Sequence, residues 1–184
     1  MKTILLGITG SIAAYKAAEI ANCLTKDGYS VEPIMTKGGC AFITPLTLQS
    51  LTKNRVYTDV FEEKYPREVQ HISLAQKADL MLVAPASADI IGKAACGIAD
   101  DMLSTVLCAI SGIPVFFAPA MNTNMYGNPI VQENMERLRR VGYQIIEPRE
   151  AMLACGDIGK GAMADVGEIV TLVEKTLHTN SFDG

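Results

Sequence analysis

The sequence predicts an α/β protein in which helices cover both faces of a central, mainly parallel sheet. Five short apolar runs rich in Val, Ile, Leu and Phe recur along the chain, each bounded by Gly, Pro or small polar residues; this is typical of buried parallel strands. Amphipathic helical patterns alternate with these runs, which indicates a layered fold. At 184 residues, 49% of them hydrophobic, the chain suits one compact domain. We therefore expect a single domain over residues 1–184 with a three-layer Rossmann-like (flavodoxin-like) fold.

The individual elements can be placed in chain order. The predicted strands are Thr3–Thr9, Ser30–Met35, Leu80–Ala84, Val115–Ala118 and Gln144–Ile146. Two helices show an apolar face, and the second follows Pro129, a residue that favours a helix start. Their apolar positions are Ala13, Ala17, Ile20 and Leu24 in the first, and Ile130, Met135, Leu138 and Val141 in the second. Arg55–Gln70 is charged without a clear period, so we expect a surface excursion there.

Composition and charge exclude several classes of function. The net charge of −4 is spread along the chain without a basic cluster, so nucleic acid is not expected as a partner. The apolar N-terminal stretch is interrupted at Gly7 and Gly10 and meets Lys16 early, which favours a buried strand over a signal peptide. No window approaches the roughly 20 apolar residues of a membrane span, and no membrane association is expected.

The five cysteines form an odd set with no close pair, which argues against a disulfide framework and a zinc site and favours the cytoplasm. Cys23, Cys96 and Cys108 fall in helical patterns, where a small buried hydrophobe is the ordinary interpretation. Asp100 and Asp101 stand at a predicted helix start and are expected to serve its dipole. No metal site is predicted.

The first turn, Gly7 to Ile12, joins a strand to a helix and directs backbone N–H groups at one spot that suits a phosphate. The third glycine and the strand-two acid of a dinucleotide site are missing, and Thr36 stands where strand two ends. FMN therefore fits better than NAD. A plain tight turn with an N-cap at Gly10 and Ser11 explains the same residues equally well.

The loop Pro85–Ala88 leaves the third strand at the equivalent edge. Its small side chains would let a flat ring lie close to the backbone. A proline stop followed by an ordinary helix cap at Ser87 accounts for it as well.

Two later loops carry polar residues with little structural reason to be there. Asn122 follows the fourth strand, at the edge where open α/β sheets bind ligands. Cys155 lies in a glycine-rich segment that is predicted to be too irregular for a strand and to act as a flexible flap over about residues 150–166. His71 opens a helical segment that could face the same edge as Asn122, although a lone histidine is more often structural. His178 near the C-terminus is expected to be solvated.

Five motifs together resemble a known family, the homo-oligomeric flavin-containing cysteine decarboxylases. They are GITGSIAAYK, HISLA, APASADIIGKAACGIADDMLST, PAMNTNMY and LACGDIGKGAM, in the family's order from about Thr3 to Met163. The resemblance implies that His71, Asn122 and Cys155 are the catalytic residues. It also implies FMN bound at a subunit interface of homotrimers, which are sometimes gathered into homododecamers.

The resemblance extends to binding residues. The cofactor contacts it implies are Gly10, Ser11, Ile12, Thr36, Phe42, Pro85, Ala86, Ser87, Ala88 and Ser104. The substrate contacts it implies are Asn122, Met125, Ala154, Gly156, Asp157, Lys160 and Met163.

The implied activity is conversion of 4′-phosphopantothenoylcysteine to 4′-phosphopantetheine in coenzyme A biosynthesis, through a thioaldehyde and an enethiolate. Peptidyl-cysteine oxidative decarboxylation, flavin prenyl transfer and a non-catalytic regulatory role are the alternatives. Presence of Cys155 argues against the peptide-modifying type, and presence of His71 and Cys155 against the regulatory one.

Two departures from the family pattern matter. The family's flap commonly reads GxGRM, whereas Ala162 stands here at the arginine position, so Lys160 is expected to supply the positive charge. Many bacterial members continue into a second, ligase domain, and this chain is expected to be a stand-alone decarboxylase.

Overall fold

The computed structural model describes residues 1–61, 69–152 and 158–179. Five strands form one parallel sheet in the order β2-β1-β3-β4-β5. They are β1 Thr3–Ile8, β2 Ser30–Met35, β3 Leu80–Ala86, β4 Val115–Pro119 and β5 Gln144–Ile145. Each lies within two residues of its predicted bounds, and the predicted α/β fold class is confirmed.

The strand order reverses between β1 and β3, which lie side by side although β2 separates them in sequence. Loops leaving two neighbouring strands at such a switch point diverge to opposite faces of the sheet, which opens a crevice at the carboxyl edge. The order is that of flavodoxin-like folds.

Helices cover both faces of the sheet. They are α1 Ala14–Lys26, α2 Lys37–Phe42, α3 Pro45–Thr52, α4 Gln70–Lys77, α5 Ala88–Cys96, α6 Met102–Ala109, α7 Thr123–Tyr126, α8 Pro129–Arg140 and α9 Val166–Thr179. Along β1, Ile4, Leu6 and Ile8 join one buried core with α1 and α9, whereas Leu5 joins a second core with α4, α5, α6 and α8. Alternate side chains of a strand point to opposite faces, so the sheet separates two cores.

The two predicted helix faces differ in outcome. In α1, Ala17, Ile20 and Leu24 are completely buried, as predicted. In α8, Met135 and Leu138 are buried but Ile130 and Val141 are exposed, so that prediction is wrong at both ends. The reason is that α8 covers the short edge strand β5 and packs against α5, which leaves its two ends beyond the sheet.

Two other expectations need correction. Cys96 and Cys108 are exposed and Cys23 is only half-buried, because the first two lie at or near the last residue of α5 and α6. The start of the charged segment is not a surface excursion. The Tyr57 backbone amide donates to the Pro33 carbonyl at 2.9 Å, and the Tyr57 carbonyl accepts from the Met35 amide at 2.8 Å. The Tyr57 backbone therefore pairs with the edge of β2.

A separate antiparallel hairpin is built from β6 Arg149–Met152 and β7 Ile158–Ala162. The expectation that this glycine-rich stretch is too irregular for a strand is wrong for residues 158–162. The glycines serve close packing: a Cβ on Gly159 would lie 2.6 Å from Thr123 Oγ1, and one on Gly161 would collide with the Met121 carbonyl oxygen. Within the described ranges, no helix is both long and apolar enough to cross a membrane.

Candidate functional site

A cleft of about 530 Å³ opens at the carboxyl edge of the sheet, at the β1/β3 switch point. Four segments form its walls: the turn into α1, the loop after β3, the loop after β4, and the hairpin. This volume lies in the ordinary range of small-molecule sites. The fold thus brings the loops singled out from the sequence to one place.

Thr9 joins two walls of the cleft. The side chain is almost completely buried, at 1% exposure. Its hydroxyl donates to the Pro85 carbonyl at 2.7 Å and accepts from the Ser87 amide at 2.9 Å. One hydroxyl therefore holds the loop after β1 against the loop after β3. This residue was missed from the sequence, because a threonine at a strand end gives no local signal of a distant partner.

The turn into α1 is tight. Ser11 Oγ accepts from the Ala13 amide at 3.2 Å, and the Ser11 carbonyl accepts from the Ala14 amide at 2.9 Å. A Cβ at Gly10 would lie 3.1 Å from the Cα of Gly38, so glycine lets this turn lie against the start of α2. Gly10, Ser11 and Ile12 line the cleft. The turn interpretation is correct in itself, and a phosphate contact there stays a prediction.

Thr36 serves first as a helix cap. Its hydroxyl accepts from the Gly39 amide at 3.1 Å and lies 3.5 Å from the Ile8 carbonyl, so it ties the ends of β1 and β2 together. Phe42 is 54% exposed at the end of α2. Neither residue is among those that line the cleft within the described part of one chain, and their cofactor contacts stay predictions.

The loop after β3 splits into two parts. Pro85 and Ala86 belong to β3 and are buried, whereas Ser87 and Ala88 line the cleft. Ser87 also caps α5, with its Oγ accepting from the Ile90 amide at 3.4 Å, so the helix-cap interpretation is correct. With Ala88, Ala120 and Ala162 on its walls the cleft has room for a flat ring.

Ser104 has a structural position. It is completely buried and forms a capping box with Asp101 at the start of α6: the Asp101 carboxylate accepts from the Ser104 amide at 2.8 Å, and Ser104 Oγ accepts from the Asp101 amide at 3.0 Å. It does not line the cleft in the described chain. Asp101 thus serves the helix terminus, as predicted.

Asn122 lies in the cleft at the N-cap of α7, where its side-chain oxygen accepts from the Asn124 amide at 2.8 Å. Met125, one turn later, lines the same wall and is 48% exposed. The Met121 amide donates to the Gly161 carbonyl at 3.0 Å. The hairpin therefore rests directly on the turn that carries Asn122.

His71 is not brought to Asn122 within one chain. It is the second residue of α4, is half-buried, and is absent from the described lining of the cleft. His178 is exposed at the end of α9, as predicted. Cys155, Ala154, Gly156 and Asp157 lie outside the described residues.

Lys160 is not among the described residues that line the cleft of one chain, so the charge and the substrate contact expected of it stay predictions. Its ammonium lies 2.8 Å from Glu147 Oε2 and 5.5 Å from the centre of the Tyr126 ring. Glu147 also accepts from the Tyr126 hydroxyl at 3.0 Å and pairs with Arg139 at 2.8 Å. The Lys160 hydrogen bond, helped by Tyr126, lowers the pKa of the Glu147 carboxyl, and the same bond raises the pKa of Lys160.

The charged side chains among the described cleft residues are instead Lys16 and Arg149. Lys16 follows the predicted phosphate turn closely in sequence, and that proximity could have indicated it. Arg149 gave no sequence signal, because its place depends on how β6 pairs with β7. Met163, a predicted substrate contact, lines the cleft although it is only 1% exposed.

Comparison with known proteins agrees with this geometry. Residues 1–178 match the family model described as Flavoprotein. A probable phosphopantothenoylcysteine decarboxylase of Streptococcus mutans is 50% identical over 96% of this chain and 99% of its own length. The coenzyme A biosynthesis bifunctional protein CoaBC of Bacillus subtilis is 48% identical over 95% of this chain, which spans 43% of that relative.

Solved structures show the same fold. A PPC decarboxylase with a cysteine-to-serine mutation, complexed with pantothenoylaminoethenethiol, superposes with a TM-score of 0.88 at 34% identity, over 94% of this chain and 96% of its own. The FMN-dependent cysteine decarboxylase SpaF superposes with a TM-score of 0.85 at 29% identity, over 98% of both chains.

The switch-point cleft and these matches define the class as a flavin-binding α/β protein. The chain belongs to the flavoprotein family and, within it, to the phosphopantothenoylcysteine decarboxylases.

Proposed function

We propose that this protein is a carboxy-lyase that converts 4′-phosphopantothenoylcysteine to 4′-phosphopantetheine, with FMN as its cofactor, in the cytoplasm. The observation that carries the proposal is the near-complete match to a probable phosphopantothenoylcysteine decarboxylase at 50% identity. The cleft that holds Asn122 lies where this fold binds ligands.

The residues at the cleft fit FMN. Gly10 packs tightly against Gly38, since an added Cβ would lie 3.1 Å from the Gly38 Cα, and this tight turn leads into the positive end of α1, which favours a phosphate. The small side chains of Ala88 and Ala120 leave space for a planar ring. When bound, FMN supplies hydride acceptance and return, which makes an overall redox-neutral decarboxylation feasible.

Asn122 is assigned to substrate orientation. Its side-chain oxygen accepts from the Asn124 amide, which fixes the plane of the carboxamide at the cleft; the NH₂ group is assigned to the substrate carboxylate. A neutral donor suits this role, since a cation would stabilise the carboxylate against loss of CO₂.

His71 and Cys155 are assigned to proton transfer. His71 would take the proton of the substrate thiol as the thioaldehyde forms. Loss of CO₂ leaves an enethiolate, and Cys155 would then donate a proton to it. Support for Cys155 is the similar solved structure in which a cysteine-to-serine PPC decarboxylase is complexed with pantothenoylaminoethenethiol.

The complete site is assigned to a homo-oligomer, either a trimer or a dodecamer built from trimers. Its support is the separation of His71 from the described cleft of its own chain. Ile12 and Tyr15 on the cleft wall, and Phe42 and Leu46 on α2 and α3, are exposed apolar side chains that association would cover. A neighbouring copy would then present His71 to the cleft that contains Asn122.

Product analysis tests the proposed function. FMN-loaded protein is mixed with 4′-phosphopantothenoylcysteine and the products are read by mass spectrometry. Loss of CO₂ without net oxidation is expected for the wild type. Cys155→Ser is expected to accumulate the oxidised enethiol with bleaching of the flavin absorbance near its visible maximum.

The rival functions give different results. Enethiol as the final wild-type product would favour the peptidyl-cysteine chemistry, and unchanged substrate would favour a regulatory protein. Undiminished phosphopantetheine from Cys155→Ser would remove Cys155 from the mechanism.

A further inference from the structure

Arg149 and Ala162 face each other across the hairpin. They are paired Cα partners at the open end of β6 and β7, and both line the cleft. Ala162 stands where the resemblance leads us to expect an arginine. The hairpin therefore brings an arginine to the same place from the opposite strand.

A β-bulge places Lys160 on a different face of the hairpin from Ala162. Glu150 pairs with Lys160, and Arg149 pairs with Ala162. One step along β6 therefore corresponds to two steps along β7, and Gly161 is the extra residue. Paired residues share a face of a hairpin and consecutive residues do not. Lys160 and Ala162 are consequently placed on opposite faces, and Lys160 pairs with Glu147 outside the cleft.

The Arg149 guanidinium is already oriented. Its Nε donates to the Met163 carbonyl at 3.4 Å, and Nη1 lies 2.9 Å from Asp165 Oδ2. These contacts use two of the five N–H donors of a guanidinium. The side chain is 40% exposed, so the other donors can reach a ligand in the cleft, and a planar fork of this kind suits phosphate oxygens.

The charge of the cleft favours an anion. Lys16 and Arg149 lie among its described lining residues, and no carboxylate does. Lys16 belongs to the α1 wall near the turn predicted for the cofactor phosphate, whereas Arg149 belongs to the hairpin wall. The cofactor and the substrate each carry a phosphomonoester. Lys16 on one wall and Arg149 on the other would give each phosphate its own cation.

We propose that Arg149 binds the phosphate of the substrate and gives the enzyme its preference for a phosphorylated substrate. This proposal rests on the proposed function. Arg149, on the facing strand, would then take over the role of the arginine that the resemblance leads us to expect at position 162.

The test compares 4′-phosphopantothenoylcysteine with pantothenoylcysteine, which keeps the thiol and carboxylate and lacks the phosphate. Arg149→Met should raise KM for the phosphorylated substrate by about 10- to 100-fold, the size expected for losing charged hydrogen bonds. Turnover of pantothenoylcysteine should change less than about twofold. Equal losses with both substrates would overturn the proposal, because Arg149 would then act on the shared carboxylate or on folding.

Further variants separate the sources of an effect. Arg139→Met is the matched control, since Arg139 pairs with Glu136 and Glu147 outside the cleft. Asp165→Asn removes the ion pair with Asp165 and keeps Arg149. An equal rise in KM in this variant would mean that the ion pair matters for the structure of the hairpin, which would contradict the proposal. Adding Ala162→Arg to Arg149→Ala should restore the preference for the phosphorylated substrate, and no recovery in a folded double variant would count against it.

Cofactor binding gives the last distinction. FMN affinity, measured by quenching of flavin fluorescence, should be unchanged in Arg149→Met. A loss of FMN affinity as large as the rise in KM would assign Arg149 to the FMN phosphate and overturn the proposal. A phosphate-specific loss in Lys160→Met and none in Arg149→Met would also overturn it. Wild-type protein that decarboxylates neither substrate would instead refute the proposed function.

Discussion

At the scale of single residues, Thr9 connects two walls of the cleft. Its buried hydroxyl donates to the Pro85 carbonyl and accepts from the Ser87 amide, 76 and 78 residues further along the chain. Because a strand end and a loop end are joined by one oxygen atom, the separation of two cleft walls depends on it.

Thr9→Val should therefore cost about 1–3 kcal/mol of unfolding free energy, since the Pro85 carbonyl and the Ser87 amide lose a buried partner. Thr176→Val is the control: the part-buried Thr176 Oγ1 donates at 2.9 Å to the Leu172 carbonyl one turn earlier in α9. Urea denaturation followed by circular dichroism measures both. Equal stability of the two variants would show that Thr9 does not hold the loops together.

Two glycines of the chain should respond to alanine with opposite signs. At Gly161 an added Cβ meets the Met121 carbonyl oxygen, so Gly161→Ala should destabilise the protein by about 1–3 kcal/mol. At Gly167, within α9, a Cβ meets nothing within 4 Å, and Gly167→Ala should stabilise it by about 0.4–1 kcal/mol. Thermal denaturation of both variants measures these changes relative to the wild type. A Gly161→Ala variant as stable as the wild type would mean that the hairpin does not pack against the loop after β4.

At the scale of elements, the hairpin is joined to β5 and α8 by a small polar cluster. Glu147 follows β5. Its carboxylate forms ion pairs with Lys160 of β7 and Arg139 of α8, and accepts a hydrogen bond from Tyr126 of α7. Three elements therefore meet at one carboxylate. The contribution of this cluster to the stability of the fold must depend on pH, because only the ionised Glu147 carboxylate attracts Lys160 and Arg139.

The sign follows from the lowered pKa of Glu147, whose first cause is the Lys160 hydrogen bond. A depressed folded-state pKa gives stability that is present above the ordinary value of 4.5 and is lost as pH falls through the folded value. Glu147 is half-exposed, so the effect should stay below about 1 kcal/mol.

Urea denaturation at pH 6 and pH 3 should show a smaller loss of stability in Glu147→Gln than in the wild type. Lys160→Met should reduce the loss in the same way, because it removes the main cause of the shift. A pH dependence identical in all three proteins would refute this account of the cluster.

These elements also show what a sequence can and cannot predict. Strand positions and the caps at Ser87 and Asp101 follow from local patterns, so they were predicted well. The position of Lys160 outside the described cleft lining was not, because a bulge at Gly161 decides which face of β7 it occupies, and pairing with β6 is a non-local property. Arg149 was missed for the same reason. The exposure of Cys96 and Cys108 likewise depends on where a helix ends relative to its neighbours.

At the scale of the whole molecule, the sheet order places four segments from distant parts of the chain around one cleft, yet leaves His71 on α4 outside its described lining. If copies of the chain complete one another's sites, two different inactive chains can together form an active one. The location of the residues thus predicts a measurable property of mixtures.

His71→Asn and Asn122→Ala should each be inactive as homo-oligomers. After the two variants are unfolded, mixed and refolded together, part of the activity should return, since some interfaces then combine an intact His71 with an intact Asn122. Mixing without unfolding is the control. Absence of recovery in mixed oligomers verified by native mass spectrometry would place both residues in a site within one chain.

The contacts between the hairpin and α7 have a consequence for inhibition. Gly161 accepts from Met121, and Gly159 lies against Thr123, so residues on both sides of Asn122 are held by β7. Any displacement of β7 must therefore be transmitted to the Asn122 carboxamide. A small molecule that wedges between β7 and α7 would disable the enzyme by misaligning that side chain, without having to compete with either phosphate-bearing ligand.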